Sequence, residues 1–326
     1  MNKNKIYFGL LMLILVIVII ATVYEMLNAR KEEETYTVSV IVDDSNNERW
    51  IAMREGLEQA ARDNDIDLNY VFSVEFRNPD EEWELIWREI RNGTDGIIVQ
   101  MISAEAGVDD LSEISVQTAV VLLETDVEPQ GLYAVTGPDN TGIGMALGTA
   151  IKQELGSSVK EKKIGILCGN MEQISMQQRL AGIEQILTEE EAQIVWILHG
   201  RNEDMAGTLQ RSAQDKPADI IIALGNNETE LAVDYLLTQG EEERESCLLY
   251  GVGGSEKAVY YLDKGWIQSL VVPNEFNMGY LSMEQIAKQL KYRLAGSESV
   301  EVGYLVIDRT NLYEEENQKI LFPIVQ

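Results

Sequence analysis

The chain opens on an uninterrupted apolar run from Ile6 to Val23, preceded by Lys3 and Lys5 and followed by the first acid at Glu25. At 1.5 Å rise per residue, about 18 apolar residues cross most of a ~30 Å hydrocarbon core. A buried core helix would carry a polar face, and this run has none. Secretory signals have a shorter apolar region, about 7–15 residues, closed by a small-x-small cleavage site. The candidates here, Ile19-Ile20-Ala21 and Leu27-Asn28-Ala29, match that pattern poorly, and no cysteine precedes Cys168 to take a lipid. We therefore read 6–24 as an uncleaved single-pass signal-anchor, 1–5 as a cytoplasmic N-terminus and 25–35 as a linker. Lys3 and Lys5 before the span and Arg30 and Lys31 after it nearly balance. The extracytoplasmic placement rests on the long folded region that follows one N-terminal span.

Beyond the linker, short β-branched runs alternate with amphipathic segments. Strands are expected at 38–42, 68–74, 96–100, 119–123 and 132–136. Helices are expected at 49–63, with Trp50, Met53, Leu57, Ala60 and Ala61 on one stripe, and at 80–91, after the start signal Asn78-Pro79-Asp80. The pattern then restarts. A helix at 141–155 precedes strands at 163–168, 194–198, 219–223, 248–252 and 267–272, with helices at 175–188, 203–214, 228–239 and 255–264 between them. A long helix near 276–294 leads to a last strand at 303–307. Apolar strands separated by helices imply right-handed βαβ units in parallel sheets buried on both faces. Two such series imply an α/β chain of two doubly wound lobes.

Charge and chemistry narrow the function. The net charge is −29, and the four basic residues named above are offset by Glu25, Glu32, Glu33 and Glu34, so the folded part carries all of it. Nucleic acid is excluded as a partner, because phosphate neutralisation needs a basic face. Cys168 and Cys247 are expected at opposite ends of a parallel sheet, beyond disulfide reach. The only histidine, His199, ends an apolar strand. Nothing assembles a zinc site, a Ser/His/Asp triad or a Walker phosphate loop. Gly251-Val252-Gly253-Gly254 lacks the dinucleotide spacing. The expectation is a protein that is not an enzyme and needs no cofactor or metal.

Several segments, in their order, look familiar: Asn46-Asn47-Glu48-Arg49-Trp50 after the first strand, Gly93-Thr94-Asp95-Gly96-Ile97-Ile98, Gly137-Pro138-Asp139-Asn140, Arg179-Leu180-Ala181-Gly182, Gly225-Asn226-Asn227 and Tyr250-Gly251-Val252-Gly253. From Tyr36 onward the chain resembles type I periplasmic binding proteins of the ribose- and galactose-binding kind, whose fold also forms the effector domain of lactose-repressor-like regulators. A membrane span stands where a repressor carries its helix-turn-helix. The resemblance implies interleaved lobes joined by a three-strand hinge. Lobe one would comprise 36–139 and 274–306, and lobe two 140–273 and 307–326. Crossovers would fall near Asn140, at Pro273-Asn274 and at 308–311.

The resemblance also implies a ligand cleft at the carboxyl ends of the strands. Trp50 would stack on a sugar ring, and Asn46 and Asn47 would bond hydroxyls or simply shape the turn. Glu124 keeps the family's acid, but Thr125 replaces its arginine. The family's sugar-binding arginine aligns with either Arg179 or Gln177. Asn226 matches an asparagine, Asn227 replaces a helix-capping aspartate, and Gly253 replaces a sugar-binding aspartate. Asn277 would supply a last polar contact. With part of the sugar-reading set replaced, the ligand is expected to be a carbohydrate or a sugar-like molecule. Two roles are compatible with this reading: delivery to an ABC permease, or ligand sensing for a membrane histidine kinase or chemoreceptor.

Overall fold

The computed structural model describes residues 3–29, 35–43, 49–71, 75–128, 133–200, 205–292 and 298–322. Two units are distinct, the N-terminal segment through Tyr36 and the body from Thr37 onward. The first is helix α1 (Lys3–Ala29), which runs five residues past the expected end of the span. Within it, the 18 residues Tyr7–Tyr24 are long and apolar enough to cross a membrane, and none of them is buried in protein.

The body begins with β1 (Tyr36–Ile41), α2 (Trp50–Asn64), β2 (Ile66–Val71), α3 (Pro79–Arg91), β3 (Gly96–Val99), α4 (Val108–Ile114), β4 (Ala119–Leu123) and β5 (Ala134–Pro138). It continues through α5 (Asn140–Leu155), β6 (Lys163–Cys168), α6 (Ile174–Glu189), β7 (Gln193–His199), α7 (Met205–Asp215), β8 (Ile220–Ala223), α8 (Asn226–Thr238) and α9 (Glu241–Ser246). Then come β9 (Leu248–Val252), α10 (Glu256–Asp263), β10 (Ile267–Pro273), α11 (Glu275–Tyr292), β11 (Val300–Val302), β12 (Tyr304–Asp308) and α12 (Glu315–Leu321).

Helix starts follow local chemistry. The Asn78 side chain accepts from the Glu81 N–H at 3.1 Å, Pro79 fills the first turn, and Asp80, Glu81 and Glu82 sit at the positive end of α3. Asp139 caps α5 by accepting from the Gly142 N–H, and Ser255 caps α10 by accepting from that of Ala258.

The strands form two six-stranded sheets, ordered β11-β5-β4-β3-β1-β2 and β12-β10-β9-β8-β6-β7. In the first, β1, β3, β4, β5 and β11 run parallel; in the second, β12 alone is antiparallel to its neighbour. Every residue of β3 and of β8 is buried, as expected of strands covered on both faces. In lobe two, α5 and α6 cover one face of the sheet, and α7, α8 and α10 the other.

The third crossover differs from the expectation. The apolar stretch 303–307 does not extend lobe one. Residues Tyr304–Asp308 pair with β10, from Ser269 opposite Asp308 to Pro273 opposite Tyr304, so the chain changes sheets at Gly303, between β11 and β12. The expectation lacked β11, whose three residues with exposed Glu301 at the centre are too short to read as a strand, and β12 is an edge strand with a single mostly buried side chain, Ile307.

Two helix pairs aim their N-termini at the space between the lobes. α2 crosses α11 where Gly56 and Gly279 face each other's helix; a Cβ on Gly56 would overlap the carbonyl oxygen of Phe276, and one on Gly279 that of Met53. α5 crosses α6 in the same way at Gly144 and Gly182, against the carbonyls of Arg179 and Thr141. This contact of backbone on backbone fixes the first turns of α2 and α11 in lobe one and of α5 and α6 in lobe two.

Candidate functional site

In each sheet the strand order reverses direction at one place, β1 beside β3 and β6 beside β8, and ligands of such folds sit beyond the carboxyl ends there. The chain leaving those ends builds a charged cluster between the lobes. Glu124, directly after β4, has φ +64, a strained conformation for a residue with a side chain, costing on the order of 1–3 kcal/mol. Its carboxylate binds Arg49 from lobe one at 2.7 Å and Arg179 from lobe two at 2.5 Å. Gln100 Nε2 donates to Glu124 Oε2 at 2.5 Å. Arg179 is 4 % exposed; its Nε donates to Asn140 Oδ1 at 2.9 Å and its Nη1 to the Leu224 carbonyl at 3.0 Å. Asn140 in turn donates to the Glu124 carbonyl at 3.1 Å.

The electrostatics follow from this packing. Burial works against ionisation of Glu124, but the two guanidiniums outweigh it and hold the carboxyl down at about 2. Burial also opposes the charge on Arg49, and Glu124 and Glu275 more than restore it, leaving its pKa raised. Glu275, in the first turn of α11, meets Arg49 only at 3.5 Å, and burial pushes it up to about 7. Burial likewise raises Glu228, against its own backbone N–H and the pull of Arg179 and Arg49.

Two adjoining cavities open on this cluster and share Arg49, Glu124, Arg179 and Asn226. The larger, about 260 Å³, continues along an aliphatic wall of Val252, Val272, Pro273, Ile320 and Leu321 to Glu275. The smaller, about 100 Å³, is polar and includes Trp50, Gln173, Asn227 and Glu228. Around them the lobes meet directly. Asn170 Nδ2 donates to the Ile102 carbonyl at 2.6 Å, and Gln173 Nε2 to that of Met101 at 2.9 Å. The Ala104 N–H donates to the Glu172 carbonyl at 2.9 Å.

Of the residues singled out in the sequence, Glu124, Arg179 and Asn226 converge on both cavities. Trp50 is buried and lines the smaller one, with the Arg49 guanidinium over its ring at 4.3 Å, so one indole face is already covered. Asn227 lines the smaller cavity, and Gly225 rather than Asn227 stands at the capping position of α8. Gly253 lines the larger cavity at φ +115, and a Cβ there would overlap Asn226 Oδ1, so the aspartate implied by the resemblance has no room. Gln177 is exposed and donates to the Met171 carbonyl, outside both cavities; of the two alternatives, Arg179 is the one in the cleft. Asn277 is exposed on α11, its N–H bonded to the Asn274 side chain, while Glu275 two residues earlier enters the cavity. Asn46 and Asn47 lie outside the described residues.

Sequence reasoning missed Arg49, Gln100, Asn140, Glu228 and Glu275 as site residues. The signal available for Glu275 was its place directly after the Pro273-Asn274 crossover, and for Arg49 its place beside Trp50. Cys168 and Cys247 are free thiols, and burial pushes each up to about 12, which makes them poor nucleophiles. Among the described residues, no three His, Cys, Asp or Glu side chains are grouped to hold a metal ion.

A family model described as a periplasmic binding protein domain matches residues 38–294. Solved structures with the same fold include a carbohydrate transporter solute-binding protein from Agrobacterium radiobacter in complex with D-arabinose, at a TM-score of 0.79 and 13 % identity, covering 88 % of this chain and 99 % of that one. A glucose-galactose binding protein from Geobacillus stearothermophilus aligns at 0.76 and 20 %, covering 86 % and 99 %. A Caulobacter myo-inositol binding protein bound to myo-inositol aligns at 0.76 and 18 %, covering 87 % and 97 %. No curated protein matches the chain.

Proposed function

The chain belongs to the periplasmic binding protein family, and from that premise we propose that it is an extracytoplasmic receptor, tethered by α1, that closes two lobes on a small carbohydrate or polyol and delivers it to an ABC-type permease. The observation that carries this reading is the inter-lobe cavity, where charged and amide side chains of both lobes converge at the switch points of the two sheets. At about 260 Å³ it lies near the lower bound of small-molecule sites, which run from about 300 to 1,000 Å³, and so suits a ligand of monosaccharide size. Relatives in fold bind D-arabinose and myo-inositol, which supports that ligand class. A ligand touching both lobes favours the closed arrangement because only there does it make both sets of contacts. The charged cluster serves recognition: it has no nucleophile paired to a base, and we read the protein as a binder rather than an enzyme.

The test is a thermal melt of the full-length chain in detergent against monosaccharides and polyols. A ligand at 100 times its dissociation constant should add about 2.7 kcal/mol and raise the midpoint. Asn226→Ala and Trp50→Ala should fold and lose that shift. If another compound class shifts the melt and no carbohydrate or polyol does, the carbohydrate assignment fails. If both variants keep the full shift, the cleft assignment fails.

A further inference from the structure

Two buried acceptors in the larger cavity have no partner among the described residues: Glu275 Oε2 from lobe one and Asn226 Oδ1 from lobe two. Asn226 is 7 % exposed, and its amide nitrogen is committed to Glu230 Oε1 at 3.3 Å. Its oxygen is turned toward Gly253, where only the missing Cβ leaves it space, on the cavity wall. A carboxylate or amide oxygen is satisfied only by a donor, so both atoms require hydrogen-bond donors from whatever fills the cavity.

Charge narrows the donor. Six carboxylates line the two cavities, Asp43, Glu75, Glu124, Glu228, Glu256 and Glu275, against two guanidiniums, Arg49 and Arg179. Both guanidiniums bind Glu124 closely, at 2.7 and 2.5 Å, and Arg49 reaches Glu275 only at 3.5 Å and only through Oε1. The second oxygen of Glu275 shares its cavity with the aliphatic wall. A hydroxyl there would satisfy the hydrogen bond and leave the charge of the ionised carboxylate countered only by Arg49 at 3.5 Å. A protonated amine would satisfy both, and charge-assisted bonds are roughly twice as strong as neutral ones.

We propose that the cleft selects a small solute bearing a protonated amino group, an amino sugar or aminopolyol, whose ammonium donates to Glu275 Oε2. Its remaining donors serve Asn226 Oδ1, and its carbon frame lies along Val272, Pro273 and Leu321. The proposal rests on the solute-binding reading above and narrows its ligand.

Calorimetric titration of the full-length chain in detergent at neutral pH, with matched amino, N-acetylamino and neutral forms of glucose, galactose and inositol, tests it. Within the tightest-binding set, the amino form should bind at least about tenfold more tightly than the other two, the scale of one hydrogen bond to a charged group. Glu275→Gln should remove that preference, and Asn226→Asp, which adds a carboxylate at the second acceptor, should enlarge it. A neutral form that binds as tightly as its amine overturns the amine assignment and leaves the solute-binding reading standing. A preference that survives Glu275→Gln overturns the assigned acceptor. If no member of any set binds, the carbohydrate reading falls and this inference with it.

Discussion

At Glu124 and Glu275, burial acts alike and the neighbours decide the outcome. Glu124 has two close guanidiniums and falls from the usual 4.5 to about 2; Glu275 has one distant guanidinium and rises to about 7. The folded state therefore binds the Glu124 proton more weakly than the unfolded chain does. Its contribution, about 3 kcal/mol, is present above pH ~4.5 and lost as pH falls through about 2. Glu275 has the opposite sign. The folded state holds its proton more tightly, so that contribution is complete below pH ~4.5 and lost as pH rises through about 7. Without ligand, stability against urea should peak near pH ~5 and decline toward pH ~8, and Glu275→Gln should flatten the decline. An unchanged decline in that variant would assign it to another group. Glu124→Gln leaves both guanidiniums facing a neutral amide and should cost about 3–5 kcal/mol at pH ~7 by urea denaturation. A loss near zero would mean that the cluster does not hold the lobes as described.

Among the elements, the helix crossings set the geometry on which the cleft depends. Gly182→Ala pushes a methyl into the Thr141 carbonyl across the α5–α6 contact and should lower stability by about 1–3 kcal/mol. Gly303→Ala, at a position where a Cβ meets nothing within 4 Å, should be close to neutral in the same melts. Equal effects of the two would refute the close crossing. These crossings also bear on what was legible in the chain. The alternation of apolar runs and amphipathic stripes placed nearly all the long strands and helices, because fully buried strands such as β3 and β8 read as short continuous apolar runs and striped helices such as α2 carry a helical period. Helices α4, α9 and α12, six or seven residues each, are too short to show a helical period, and so the contribution of α12 to the cavity wall was invisible. The sheet change at Gly303 was hidden because β11, three residues with exposed Glu301 at the centre, does not read as a strand of its own. Glu275 was missed because a crossover residue has no periodicity, and its role depends on a hinge that packs only in three dimensions. Gly253 shows the converse: its departure from the family pattern was plain in the sequence, but its cause, the positive φ and the neighbouring Asn226 oxygen, was not.

For the whole molecule, the central claim is that one ligand is held between the lobes by groups from both. Three chain crossings, at Asp139-Asn140, Pro273-Asn274 and Gly303, connect the two sheets, and the direct bonds between lobes cluster at Met101–Ala104 and Asn170–Arg179. Closure on a ligand should slow local opening on both sides of the cleft together. The most direct measurement is amide hydrogen exchange of the full-length chain with and without a saturating ligand from the melt screen. The account predicts simultaneous added protection at 100–104 and 274–279 in lobe one and at 169–179 and 225–229 in lobe two. Protection confined to a single lobe, or none in these segments while the ligand is bound, would contradict it.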